Sequence, residues 1–123
     1  LVNLTEKYAE LLDRMLPDIV VIEEIYVGKN PRVALKIGQI TGLLIASSIK
    51  RKIPFHLIPP AEVKECLVGS GIATKQQVQF MLEHITGYKN FKNMDESDAV
   101  AVAVAYIQHK KEYDLLYSGQ TGL

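Results

Sequence analysis

The sequence predicts an α/β domain. Apolar residues recur at three- and four-residue spacing in several segments, a short run between them is β-branched and continuous, and proline, glycine and asparagine punctuate the boundaries. The resulting order is α–β–α–β–α–α–α. A length of 123 residues suits one domain, spanning 1–123, with a core of useful size. A hydrophobic fraction of 48% places the chain among soluble globular proteins rather than disordered ones.

Residues 3–16 read as an amphipathic helix with Leu4, Tyr8, Leu11, Leu12 and Met15 on its apolar side, ended by Pro17. "DIVVIEEI" (18–25) reads as a strand buried on both faces, as central parallel strands are. Residues 26–30 form a loop. Asn30 is a good N-cap and Pro31 suits the first helical position, so a long helix is expected from about 31 to 50. Gly38 and Gly42, four apart in it, predict a close approach by another element. A short strand is expected near 54–58. Pro60 then opens a helix that stops at Gly69.

Thr74 with Gln77 makes a capping box for a helix running to Gly87, and Asn93 with Glu96 makes another. Between them "YKNFKN" (88–93) is a basic, aromatic loop. The last helix, "DESDAVAVAVAYIQHKK", carries alanine and valine on all sides and is expected to be mostly buried. The tail from 112 has no clear pattern. Two strands are few for a stable sheet, so further strands are expected upstream of Leu1. No apolar run reaches the roughly 20 residues that span a membrane. Cys66 is the single cysteine, which excludes an internal disulfide and favours a reducing, cytoplasmic setting.

Net charge is zero, but its distribution is uneven. Residues 1–28 hold two basic and six acidic groups, residues 29–92 ten basic and three acidic, and residues 93–123 two basic and five acidic. A basic middle between acidic ends fits a phosphate-binding surface beside carboxylates. Sites in open α/β sheets form outside the carboxyl ends of the strands, where Glu23 and Glu24 stand. Strand alternation lets only one of them face a given site. Asp95 and Asp98, three apart on a helix, project to nearly the same side. A strand-end Glu with a helical Asp-x-x-Asp is an oxygen set suited to Mg²⁺ or Mn²⁺. Acidic residues in a first turn are also favoured by the helix dipole alone, and strand-end acids also serve solubility. Asp98 weighs against that plainer reading, because it precedes an apolar run and a carboxylate on a buried helix needs a partner.

"GSGIATK" lacks the Gly-Lys-Ser/Thr ending of a nucleotide P-loop, yet its glycines precede a helix start where Lys75 could meet a backbone phosphate. His56, His84 and His109 match no metal spacing and read as surface or core residues. Cys66 has no paired histidine in sequence, which argues against a nucleophile.

"PDIVVIEEIYVGKNPRVALKIGQITG" (17–42), "PPAEVKECLVGSGIATKQQVQFM" (59–81) and "MDESDAVAVAVA" (94–105) resemble the bacterial RuvC Holliday junction endonucleases over nearly the whole chain. The resemblance implies a ribonuclease H-like fold with a central sheet flanked by helices, truncated at its N-terminus. It implies a homodimer that cuts four-way DNA junctions in recombination and repair. The expected mechanism is two-metal phosphodiester hydrolysis with two Mg²⁺ (Mn²⁺ as substitute) about 4 Å apart. A branch-migration helicase complex is the expected partner. Glu23 matches the family's strand-end catalytic Glu, and Asp95 and Asp98 match its helical pair. Glu24 matches a position where the family accepts an uncharged residue. Tyr26 resembles the aromatic that the family pushes toward bases at the junction, Lys64 and Lys75 match basic residues that face the DNA, and Lys29, in the aromatic-x-Gly-Lys-Asn segment, is also expected to bind DNA. The family's first catalytic Asp, in an Asp-Pro-Gly motif, has no match here, so weak binding and poor cleavage by the 123 residues alone are expected. Another ribonuclease H-like nuclease, or a catalytically incomplete DNA-binding or dimerisation module, are the alternatives.

Overall fold

The computed structural model describes residues 1–25 and 28–117, with side chains through 111. The elements are α1 (Val2–Met15), β1 (Val20–Glu23), α2 (Pro31–Lys50), β2 (Phe55–Ile58), α3 (Pro60–Val68), α4 (Lys75–Thr86) and α5 (Met94–Tyr117). They fall into two compact units, Leu1–Leu57 and Ile58–Leu123. The element order is the expected one.

In the first unit β1 and β2 pair in a two-stranded sheet, and α2 connects them. The Val20 N–H donates to the Pro54 carbonyl at 3.0 Å where the strands begin. Leu16, past the end of α1, takes a left-handed conformation (φ 47°) and its N–H closes on the Leu12 carbonyl, so the chain turns out of the helix before Pro17. Helix α1 packs on α2. Leu12 is buried there, and Tyr8 Oη and Ser48 Oγ lie 3.3 Å apart, a hydrogen bond between the two helices. Ser48, fully buried, also donates to the Leu44 carbonyl at 2.8 Å. A turn further, Arg51 grips Asp13 through Nε (2.7 Å) and Nη2 (3.3 Å), while its Nη1 donates to the Ser47 carbonyl.

In the second unit α3 packs most extensively on α5 and also against α4, and α4 touches α5. Val63, Leu67, Leu82, Ala101, Val102 and Ala105 are buried in it. Gly69 and Gly87 end α3 and α4 at φ +87° and +71°, a conformation that costs a side-chain-bearing residue strain.

Several expectations are corrected. The first strand covers four residues, not 18–25, and only Ile22 in it is buried. A two-stranded ribbon leaves the other positions half open, so the apolar run of the sequence overstates burial. An added Cβ at Gly38 or Gly42 meets nothing within 4 Å, so among the described residues no other element approaches them closely. Helix α5 is buried on one side only. Ser97, Ala101, Val102 and Ala105 turn inward, while Ala103 and Ile107 are exposed, because apolar small residues carry no information about which side has a neighbour. The helix also continues past residue 112. Among the described residues, α2 is long and apolar enough by length and composition to cross a membrane, contrary to the reading of uninterrupted runs. Its hydrogen bond to α1 and its place between two strands of one sheet are those of a crossover helix.

Two outcomes are expected. Leu82, 1% exposed, sits in the core of the second unit, and Leu82→Ala should lower the unfolding free energy by about 2–5 kcal/mol in chemical denaturation, whereas Ile72→Ala, at a 93% exposed position, should stay within about 0.5 kcal/mol. The hydrogen bond from Arg51 holds the Asp13 carboxyl below its ordinary range. A depressed folded-state value means stabilisation that is complete above the ordinary carboxylate range and is lost as pH falls through the depressed value. The difference in thermal midpoint between the parent and Asp13→Asn should therefore be present at neutral pH, small because the pair is solvated, and vanish in acid.

Candidate active site

Glu23 is the last residue of β1 and is half-buried, whereas Glu24, next along the chain, is exposed. Glu24 lies just past the strand end, where the chain leaves the sheet. Tyr26 lies outside the described residues. Lys29 is exposed and immediately precedes Asn30, whose Oδ1 accepts from the N–H groups of Arg32 (3.1 Å) and Val33 (3.3 Å). That cap fixes the backbone from which Lys29 projects.

The other two carboxylates belong to the second unit. Asp95 and Asp98 stand in the opening turns of α5 and both are exposed. Asn93 starts the helix by accepting the Glu96 N–H at 2.8 Å. Ser97, 1% exposed, marks the inward side and donates to the Met94 carbonyl at 2.9 Å. At 3.6 residues per turn, Asp98 lies about 100° and Asp95 about 160° around the helix from Ser97, roughly 60° from each other. The pair therefore shares one side of the opening turns, where Asp98 stands in line with the inward Ala101, Val102 and Ala105 yet is exposed near the start of the helix. Its exposure corrects the argument from burial: water solvates Asp98, and that carboxylate demands no partner.

Lys75 is exposed at the first position of α4, set there by a complete capping box. The Thr74 Oγ1 accepts the Gln77 N–H at 3.1 Å and Gln77 Oε1 accepts the Thr74 N–H at 2.8 Å. Lys64 is half-buried on α3 between the buried Val63 and Leu67 positions. The glycine-rich segment before α4 is braced by Ser70, whose carbonyl accepts the Ala73 N–H at 3.2 Å.

Among the described residues, no group of three or more His, Cys, Asp and Glu gathers within either unit. Glu23 belongs to one unit and Asp95 with Asp98 to the other. His56 is half-buried on β2, His84 exposed on α4, and His109 Nδ1 lies 3.4 Å from Glu62 Oε1. His109 also lines a cavity of about 750 Å³ together with Cys66, Glu62 and Glu65. Forty-three positions separate Cys66 from His109, so no local spacing could have revealed that they share a cavity. The sequence reading also missed the exposed Phe80, which lines two shallow grooves on α4.

Residues 1–106 match the family described as crossover junction endodeoxyribonuclease RuvC. The crossover junction endodeoxyribonuclease RuvC of Trichlorobacter lovleyi is 38% identical over 102 residues, covering 83% of this chain and 57% of that protein. That of Dictyoglomus turgidum is 37% identical over 110 residues, covering 89% and 69%. The chain thus spans less than two thirds of the first relative's length. Among solved structures, Thermus thermophilus RuvC matches with a TM-score of 0.79, and T. thermophilus RuvC in complex with Holliday junction substrate with 0.83. Both are 26% identical, over 90% of this chain and 68% of theirs. The expected α/β, ribonuclease H-like fold is borne out.

The capping box that positions Lys75 should be measurable alone. Thr74→Ala leaves the Gln77 N–H without its partner and should cost about 0.5–2 kcal/mol in equilibrium unfolding.

Proposed function

Because the chain belongs to the RuvC family of crossover junction endodeoxyribonucleases, we propose that it acts on four-way DNA junctions and cuts them by metal-assisted hydrolysis of a phosphodiester in recombination and repair. The family match over residues 1–106 carries this reading, since it takes in Glu23, Asp95 and Asp98.

These three are the proposed metal ligands and catalytic carboxylates. The donor set fits. All are oxygen ligands, which hard Mg²⁺ prefers, with Mn²⁺ the natural substitute. Asp95 and Asp98 are both exposed in the opening turns of α5, accessible to an ion, and Glu23 ends its strand half-buried. Two ions, when bound, supply an activated water and stabilise the leaving oxygen. Glu24, just past the strand end, takes no part.

Lys29, Lys64 and Lys75 are the proposed phosphate contacts. Charge supports this: residues 29–92 hold ten of the fourteen basic groups of the chain and three of its fourteen acidic ones. Tyr26 is proposed to stack on a base at the opened crossover, an interaction worth roughly 1–3 kcal/mol per base for an aromatic. The same reading makes the enzyme a homodimer acting in the cytoplasm beside a branch-migration helicase, with both units parts of one nuclease domain. No Asp-Pro-Gly motif occurs in the 123 residues, and on this reading they cut poorly by themselves.

The test uses the protein that carries this sequence. With a four-way junction and Mg²⁺, Glu23→Gln should abolish cleavage while junction binding survives, and Glu24→Gln should cut at nearly the parent rate. Equal loss from both changes would mean that the strand register is wrong. Binding by the parent without any cleavage would favour a DNA-binding module instead.

A further inference from the structure

The loop between α4 and α5, residues 87–93, is held at both ends and carries charge that the proposed site does not use. At its start the Gly87 N–H donates to the Glu83 carbonyl at 2.8 Å. The Thr86 Oγ1 donates to the Leu82 carbonyl (2.7 Å) and accepts the Tyr88 N–H (3.2 Å). At its end Asn93 caps α5. Between these anchors Tyr88 and Phe91 pack edge to face, ring centroids 5.0 Å apart, which folds the loop on itself. Lys89 and Lys92 stand outward, both exposed, and the loop has no acidic residue.

Two grooves on the second unit lie between this loop and Lys75. One, of about 370 Å³, is lined by Lys75, Phe80, Glu83 and Met94 among others. The other, of about 300 Å³, is lined by Phe80, Glu83, His84, Gly87 and Lys89. They share Phe80 and Glu83, so the two grooves adjoin at the 70% exposed Phe80 ring, one lined by Lys75 and the other by Lys89. Glu83 is the carboxylate lining both, half-buried, and Lys75 and Lys89 outnumber it. Lys92 is three residues before Asp95, at most about 11 Å of extended chain. That is about three nucleotides at a rise of 3.4 Å per strand step.

We infer that Lys89 and Lys92 form a second phosphate contact, continuing from Lys75 across the adjoining grooves and gripping the DNA backbone within a few nucleotides of the strand presented to Asp95 and Asp98. This rests on the nuclease reading and deepens it. The lysines act as positioning residues: they hold the strand by charge, on a loop stiff enough that its placement is inherited by the carboxylate pair that follows it.

The test measures junction affinity by fluorescence anisotropy over a salt series without divalent metal, using the protein that carries this sequence. The paired variant Lys89→Ala with Lys92→Ala should weaken binding for all junction sequences alike and flatten the slope of log K against log salt by roughly two units, at about 0.9 per phosphate contact. Lys110→Ala with Lys111→Ala removes the same charge from a place about 24 Å further along α5, counted from Met94, and should leave the slope at the parent value. Circular dichroism checks that both variants fold. An unchanged slope in the loop variant, or an equal fall in both variants, overturns the inference while the parent still binds and cuts junctions. A parent that binds no junction at any salt overturns the nuclease reading and this inference with it.

Discussion

The buried stripe on α5 decides where the candidate carboxylates point. Ser97, Ala101 and Ala105 fall four apart on one side of the helix and are almost wholly enclosed in the second unit. Small side chains let a neighbouring helix approach closely, and α3 makes the most extensive packing with α5. Once that side is fixed inward, the helical period sets Asp98 in line with Ala101, Val102 and Ala105 and Asp95 about 60° further round, and both stand exposed at the start of the helix. A longer side chain at 97 or 101 would push the stripe off its neighbour and rotate the pair with it. The placement of the candidate pair thus depends on a constraint that has no polar partner in it beyond one serine hydroxyl bound to its own helix.

A second regularity concerns the ends of helices. Lys29, Lys75 and the loop holding Lys89 and Lys92 each abut a helix terminus whose backbone groups are satisfied by a specific cap: Asn30, Thr74 with Gln77, Gly87 and Asn93. A cap satisfies donors that would otherwise be orphaned, and in doing so it freezes the local backbone. Long, flexible lysine side chains then start from fixed points. The arrangement limits the entropy lost when they engage an anion, because only the side chains remain to be ordered.

This explains which parts of the structure were legible in the sequence. Caps and breakers act through neighbours within four residues, so Pro31, Pro60, Gly69, Thr74, Gly87 and Asn93 announced their boundaries correctly. The placement of Asp95 and Asp98 near one another at the start of a helix was legible for the same reason: their spacing is local. What failed depended on elements far along the chain. The strand at 20–23 looked buried on both faces because Val and Ile do not record how many strands stand beside them. Gly38 and Gly42 implied a neighbour that is absent among the described residues of the first unit. The alanines of α5 implied burial all round, where packing selected one side. The cavity shared by Cys66 and His109, and the grooves adjoining at Phe80, arise only from tertiary packing.

The contacts between α1 and α2 work as a key in a lock of two wards. Tyr8 meets Ser48, and five residues on, Asp13 meets Arg51. Apolar surfaces alone tolerate sliding, since one methyl group serves nearly as well as the next. Two polar pairs at different heights do not. A shift of one residue moves a helix by about 1.5 Å and turns it by about 100°, which would separate both pairs and strand the enclosed Ser48 hydroxyl away from Tyr8. The two pairs therefore mark the rotational setting in which these helices pack. The strand that ends in Glu23, joined to both of them through the chain, inherits that setting.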